Sequence, residues 1–294
     1  MPELSDINTV KAILNRHGFH FSKSLGQNFI VNPELCPRIA EESGVKKGVC
    51  ALEVGPGIGV LTKELALRAE KVLSIEIDES LLPVLKETLG EFENVEILNE
   101  DVMKLDLKKV VKERFGDMSF VVCANLPYYI TSPVLMKLLE ENIGAQSITV
   151  MVQKEAAQRI AALPGTRDCG AITAAIHYYS VPKKLFDVGK GNFVPAPKVD
   201  SSVIKLDVRK EPPVKVESEE QFFKVVKAAF SQRRKTLANS LSSGLGLKKD
   251  DIYAVLEECG FGVNARAEEL SLEDFAVLAA AVGKRKAKSE ALTT

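Results

Sequence analysis

The order of apolar and polar positions divides this chain into two parts with different periods. Up to about residue 208, short apolar runs rich in Val, Ile and Leu recur at 49–54, 72–77, 95–98, 120–124 and 147–152, each too brief for a helix. Such runs predict buried strands. The segment Lys184-Leu185-Phe186-Asp187-Val188 and the alternating Ser202-Val203-Ile204-Lys205-Leu206-Asp207-Val208 predict two more. Helical spacing lies before and between them. Ile7, Val10, Ile13 and Leu14 share one face closed by Gly18, and Val60, Leu61, Leu65, Ala66 and Ala69 share another. Ser132-Pro133 opens a further helix as N-cap and first-turn proline, and one more runs from about Gln153 through Ala162. Strands alternating with helices predict an α/β unit built on a mainly parallel sheet.

Around Lys210-Glu211-Pro212-Pro213 the strand pattern stops and charges and prolines take over, which predicts a boundary between a domain at 1–210 and one at 211–294. Ser218-Glu219-Glu220-Gln221 is a capping box for a helix that turns Phe222, Phe223, Val226, Ala229 and Phe230 inward. Two more helices are expected at 251–259, stopped by Gly260, and at 271–282, stopped by Gly283, with the last dozen residues frayed. The second domain reads as small and all-helical.

Composition narrows the classes. At 294 residues the chain fits roughly two domains of about 150 residues each. The net charge of -1 announces no nucleic-acid binder, so any such role must come from local basic patches. Five scattered cysteines form no C-x-x-C pair and read as reduced core residues, so neither a metal site nor bridges are expected. The N-terminus lacks the basic and apolar regions of a signal peptide, and no apolar run approaches the ~18 residues of a membrane span, which predicts a cytoplasmic protein with no membrane partner.

Chemistry enters at the end of the first apolar run. Val49-Cys50-Ala51-Leu52-Glu53-Val54 stops in Gly55-Pro56-Gly57-Ile58-Gly59, a turn that leaves main-chain N–H groups bare at the start of a helix. The spacing is G-x-G-x-G with Val60 next, which departs from the dinucleotide G-x-G-x-x-G pattern and argues against NAD. Glu76 follows Gly55 by 21 positions, near the offset of about 20 at which an acid meets ribose hydroxyls; a solvated strand end is the alternative. Asp101 is either a turn residue or an acceptor for an adenine amino group. The polar loop 21–30 either only connects elements or uses Gln27 and Asn28 on a polar head group. Asn125-Leu126-Pro127-Tyr128 carries the sharpest hint, because a proline-stiffened turn beyond a strand end offers a neutral amide oxygen and a flat ring for a base. Phe193 is either a packed loop aromatic or a second stacking surface, and Arg233-Arg234-Lys235 either a solvated face or a phosphate site.

Together these pieces resemble the rRNA adenine N6-dimethyltransferase family over about residues 20–280. Lys23-Ser24-Leu25-Gly26-Gln27-Asn28-Phe29 resembles its N-terminal cofactor motif, Leu52 through Gly59 its methionine-side loop, and Asn125-Leu126-Pro127-Tyr128-Tyr129 its catalytic motif. The stretches from Phe193 to Ser201 and from Gln232 to Leu237 are also similar to family signatures. Ile30 stands where the family more often has Leu, and Gly189-Lys190 where it has a Pro-rich stretch.

The resemblance implies a Rossmann-like class I methyltransferase sheet of seven strands, one antiparallel, with a small all-α C-terminal domain that helps bind rRNA. It implies S-adenosylmethionine as cofactor, held by Gln27, Asn28, Ile30, Gly55, Gly57, Glu76, Ile77, Asp101, Val102 and Asn125. Asn125, Leu126, Pro127, Tyr128 and Phe193 would hold and activate the target base, and Lys183, Lys184, Arg233, Arg234 and Lys235 would meet RNA phosphates. The implied reaction is dimethylation of N6 on two adjacent adenosines in the 3′-terminal hairpin of 16S rRNA, performed by a monomer on the immature small subunit. A large-subunit (23S) adenine methyltransferase and a mainly non-catalytic ribosome assembly factor are the alternatives.

Overall fold

A computed structural model describes residues 4–22, 26–232 and 234–291, the side chains of 288–291 excepted. Lys23, Ser24, Leu25 and Arg233 of the motifs above lie outside the described residues. The strands are β1 (Phe29–Ile30), β2 (Cys50–Val54), β3 (Val72–Glu76), β4 (Val95–Asn99), β5 (Phe120–Asn125), β6 (Ser147–Gln153), β7 (Ser180–Val188), β8 (Phe193–Val194) and β9 (Ser201–Val208). Seven form one sheet in the order β4-β3-β2-β5-β6-β9-β7, and β1 pairs separately with β8. Parallel pairing runs from β4 to β6, and β9 lies antiparallel to β6, so the seven-stranded sheet with an antiparallel member is present.

Chain order reverses at β2. From there β3 and β4 step one way and β5 and β6 the other, which opens a crevice at the carboxyl ends of the strands. Every residue of β2 and β3 is buried, as expected of parallel strands covered on both faces, and this is why their sequences read as unbroken apolar runs. One core cluster joins Ala51, Val121, Cys123 and Met151 of the sheet to the helices Leu35–Ser43 and Val60–Ala66. Leu65 of that cluster is fully buried, so Leu65→Ala would cost about 2–5 kcal/mol. A second cluster gathers Val10, Ile13 and Leu14 of the helix Ile7–Arg16 with Phe29, Ile58, Val84 and Leu85.

Among the described residues the chain packs as two compact units, 1–157 with 181–208 and 158–180 with 209–294. The helical unit therefore takes in the helix Ala171–Tyr179, which no proline-rich boundary sets apart. Tyr178 and Tyr179 lie in ring contact with Phe223 of the helix Glu219–Ala229, and Tyr178 also with Phe222, at centroid distances of 5.2–5.3 Å. Ser218 caps that helix, its Oγ accepting from Gln221 N at 3.2 Å. The helix Lys249–Glu258 ends before Gly260 in a left-handed conformation (φ 77°), as expected.

Two features of this unit differ from the pattern read in sequence. Gly283 does not stop the last helix, which runs over Leu272–Ala291. A helix-interior glycine costs about 1 kcal/mol relative to Ala, and here Lys284, Arg285, Lys286 and Ala287 carry the helix on while Arg285 Nη2 pairs with Asp251 Oδ1 at 2.8 Å. The helix Leu237–Leu245 was not marked by its serines and Gly244. Its glycine allows close packing, because a Cβ at Gly244 would stand 2.7 Å from that of Ala228.

Candidate functional site

The crevice at the strand ends is an open cleft lined entirely by the α/β unit. Every residue assigned above to cofactor or target base lines it: Gln27, Asn28, Ile30, Gly55, Gly57, Glu76, Ile77, Asp101, Val102, Asn125, Leu126, Pro127, Tyr128 and Phe193. Lys183 and Lys184 are exposed on β7 outside it, with Lys184 Nζ paired to Asp187 at 2.7 Å. Arg234 and Lys235 are exposed in the helical unit.

At one end the ligand surface is backbone. Gly55, Gly57 and Gly59 have φ values of 74°, 59° and 89°, a left-handed run that only glycine adopts without strain. Gly55 N donates to Ile75 O at 2.9 Å, which pins the turn to the neighbouring strand. A Cβ at Gly57 would stand 3.1 Å from the Phe29 ring, so the loop and the segment carrying Asn28 and Ile30 fit only while that position stays bare. Because β2, β3 and β4 lie side by side about 4.8 Å apart, their ends carry Gly55–Gly57, Glu76-Ile77 and Asp101-Val102 in a row. That row suits a nucleoside with a polar tail: bare amides, an acid for a diol, apolar side chains for a ring and an acid for a ring amine.

Two carboxyls are buried here. Glu76 Oε1 accepts from Asp78 N at 2.9 Å and Oε2 from Gly57 N at 3.4 Å; burial lifts its pKa against these bonds. Glu53, at the end of β2, accepts at Oε2 from both Thr62 Oγ1 and Ser74 Oγ, each at 2.6 Å. Burial pushes the Glu53 carboxyl up to about 7, held down by the two hydroxyls and raised further by Glu76. Sequence reading assigned Glu53 no role; its signal was an acid inside a wholly apolar strand. Asp101 is a turn residue that also lines the cleft, with Oδ1 accepting from Met103 N at 2.9 Å. Gln27 Nε2 donates to Asp78 Oδ2 at 2.6 Å and so braces the loop beside Glu76.

The other end is made of side chains. Asn125 closes β5, and its Nδ2 donates to the Asn28 carbonyl at 3.4 Å. A carbonyl only accepts, so this contact fixes the amide with the nitrogen toward Asn28 and Oδ1 on the opposite side. Pro127 O accepts from Ile130 N at 3.1 Å and Thr131 Oγ1 at 3.2 Å, which locks the turn. Tyr128 is half-buried, with its hydroxyl 2.8 Å from Ser201 Oγ; burial raises the phenol. Phe193 is 3% exposed, packed with Ile30 and Val203, and it lines the cleft, so it is a packed loop aromatic that also borders the site.

The two ends are fastened together by a device the sequence did not announce. Ile30 pairs with Phe193 and Phe29 with Val194 in the β1–β8 ladder. Val31 N donates to Asn192 O at 2.9 Å, and Asn32 Nδ2 to Asn192 Oδ1 at 2.7 Å. Among the described residues no group of His, Cys, Asp and Glu is arranged to hold a metal ion.

Comparison with known proteins follows the same lines. A family model described as ribosomal RNA adenine dimethylase matches residues 18–282. The chain is 48% identical to the ribosomal RNA small subunit methyltransferase A of Alkaliphilus oremlandii, over 97% of this chain and 100% of that one. It is 46% identical to the protein of the same name from Clostridioides difficile, over 95% and 96%. Among solved structures it is similar to a dimethyladenosine transferase from Plasmodium falciparum (TM-score 0.72, 25% identity, 88% of this chain and 98% of that one). It is also similar to the 23S rRNA methyltransferase ErmE (TM-score 0.64, 27% identity, 87% and 100%). With its sheet, its cleft and these relatives in agreement, the chain belongs to the ribosomal RNA adenine dimethylase family and is a methyltransferase.

Proposed function

We propose that this protein transfers methyl groups from S-adenosylmethionine to N6 of two adjacent adenosines near the 3′ end of 16S rRNA, giving N6,N6-dimethyladenosines during small-subunit maturation in the cytoplasm. The observation that carries the reading is one cleft in which a bare glycine turn and a row of acids face an amide oxygen and two aromatic residues. Small-subunit methyltransferases among the relatives, at 46–48% identity, favour 16S over 23S rRNA, against 27% for the large-subunit enzyme ErmE.

The residues fit that cofactor. Glu76 would accept from the ribose hydroxyls, Asp101 from the adenine amine, Ile77 and Val102 would border the adenine ring, and Gly55 and Gly57 would face the methionine part with Asn28 and Ile30 beside it. Bound there, S-adenosylmethionine supplies an electrophilic methyl group. Adenine N6 is a poor nucleophile because its lone pair is delocalised into the ring. The Asn125 Oδ1 and the Leu126 carbonyl would accept its two hydrogens and favour a more tetrahedral nitrogen. Tyr128 and Phe193 would hold the flipped base for in-line attack. Methylated N6 is cationic at the moment of transfer and sheds its proton readily, so the residues need supply no strong base. Lys183, Lys184, Arg233, Arg234 and Lys235 would meet phosphates, the last three from the helical unit, and the protein would act as a monomer.

The test is incubation with labelled S-adenosylmethionine and immature small subunits, with large subunits in parallel, followed by nucleoside analysis. Dimethyladenosine in the small subunit alone is expected. Label in the large subunit would transfer the protein to the ErmE-like activity, and binding without label in either would make it an assembly factor.

A further inference from the structure

Asn125-Leu126-Pro127 is followed by two tyrosines that face opposite ways. Tyr128 turns inward to Ser201, whereas Tyr129 lines the same cleft and is 61% exposed. Its ring lies beside the Gly26 turn, since Cδ1 and Cε1 stand 3.6 Å from where a Cβ on Gly26 would be. The backbone beneath it is held by the Ile130 N to Pro127 O and Thr131 Oγ1 to Pro127 O bonds. The cleft thus presents a largely exposed aromatic ring on a fixed backbone.

From this we infer that Tyr129 is a stacking platform for the nucleotide adjacent to the target adenosine, a rim subsite that favours a purine. The inference rests on the function proposed above and adds a contact to it. A base flipped into the cleft against Tyr128 leaves its strand neighbour outside, and Tyr129 is the exposed aromatic residue of the cleft lining that such a neighbour can meet. An aromatic face accepts any base, and a purine covers more of it than a pyrimidine. For a substrate with two adjacent adenosines, the platform holds one while the other is in the cleft. Tyr129 is a positioning residue here, since it would touch the substrate outside the reacting base.

The experiment compares wild type, Tyr129→Ala and Tyr129→Phe on immature small subunits, and on subunits in which one of the two adenosines is replaced by cytidine. Subunit binding, KM, kcat and the dissociation constant for S-adenosylmethionine are measured for each. Tyr129→Ala is expected to weaken subunit binding and raise the KM for subunits about tenfold, with cofactor affinity within twofold of wild type. Tyr129→Phe keeps the ring and stays near wild type, and on the cytidine substrate the penalty of Tyr129→Ala shrinks because the partner base is already smaller. An unchanged KM and subunit affinity in Tyr129→Ala overturns the inference, as does Tyr129→Phe failing equally, which would assign the hydroxyl. A parallel loss of cofactor affinity would put the ring in the cofactor site instead. If wild type transfers no methyl group, the proposed function falls, while the binding arm still decides whether Tyr129 contacts the RNA.

Discussion

The two ends of the cleft are built from different materials. At the glycine end the ligand surface is main chain and buried acid, set by the register of β2, β3 and β4. At the Asn125 end it is side chains on the turn that follows β5, held by a few hydrogen bonds, and Phe193 of the β1–β8 ladder. The first end is part of the core, so a lesion there acts on stability and cofactor affinity together. At the second, Asn125 and Tyr128 are half-buried, so a lesion at either is expected to act on chemistry with little cost to the fold, whereas Phe193 belongs to the core.

The largest expected effect is at the second end. Asn125→Ala removes the acceptor proposed for the N6 hydrogens, and kcat should fall by about 10²-fold or more while cofactor affinity changes only a few-fold. Single-turnover kinetics beside calorimetric cofactor binding would measure both; an equal loss in each would break the distinction between the ends.

Glu53→Gln tests the buried acid. Its folded pKa of about 7 stands above the ordinary carboxylate value of 4.5, so between those pH values the folded chain keeps a proton that the unfolded chain releases. Stability is therefore lost as pH rises through that window, and the penalty is complete above 7. Glutamine cannot ionise and keeps an oxygen for Thr62 and Ser74, so the variant should gain up to about 3 kcal/mol at pH 8 and almost nothing at pH 4. Denaturant unfolding at the two pH values reads this directly, and equal gains at both would show that the proton is not there.

Smaller changes sharpen the picture. Glu76→Ala should weaken S-adenosylmethionine binding by about tenfold with kcat at saturation nearly kept, the mirror of Asn125→Ala. Replacing Arg233, Arg234 and Lys235 by Ala should weaken subunit binding a few-fold and lower the slope of log affinity against log salt by about two. Binding unchanged across a salt series would remove that patch from the RNA surface.

Sequence revealed most of what local chemistry dictates. The strands β2, β3, β5 and β6 were legible because parallel strands buried on both faces must be apolar throughout, and the glycine turn because left-handed backbone selects its residue. Asn125, Pro127 and Tyr128 were legible because a stiff polar turn after a buried strand has few structural uses. What stayed hidden depends on partners distant in the chain. The helix Leu237–Leu245 is weak in propensity and exists by packing on Ala228. The membership of Ala171–Tyr179 in the helical unit follows from aromatic contacts with residues 222–223, not from its own sequence. Glu53 is polar in an apolar strand, but its partners Thr62 and Ser74 come from two other elements. A strand of two residues such as β1 or β8 has no period to detect.

That shortest ladder has a consequence for anyone exchanging parts between relatives. Residues 29–32 and 192–194 are joined by backbone pairing and by the hydrogen bond from Asn32 Nδ2 to Asn192 Oδ1. They are separated by some 160 positions in the chain yet behave as one graft. A loop carrying the counterpart of Phe193 from another member of the family must bring its matching N-terminal segment, or the incoming aromatic will be attached to a cleft wall shaped for a different one.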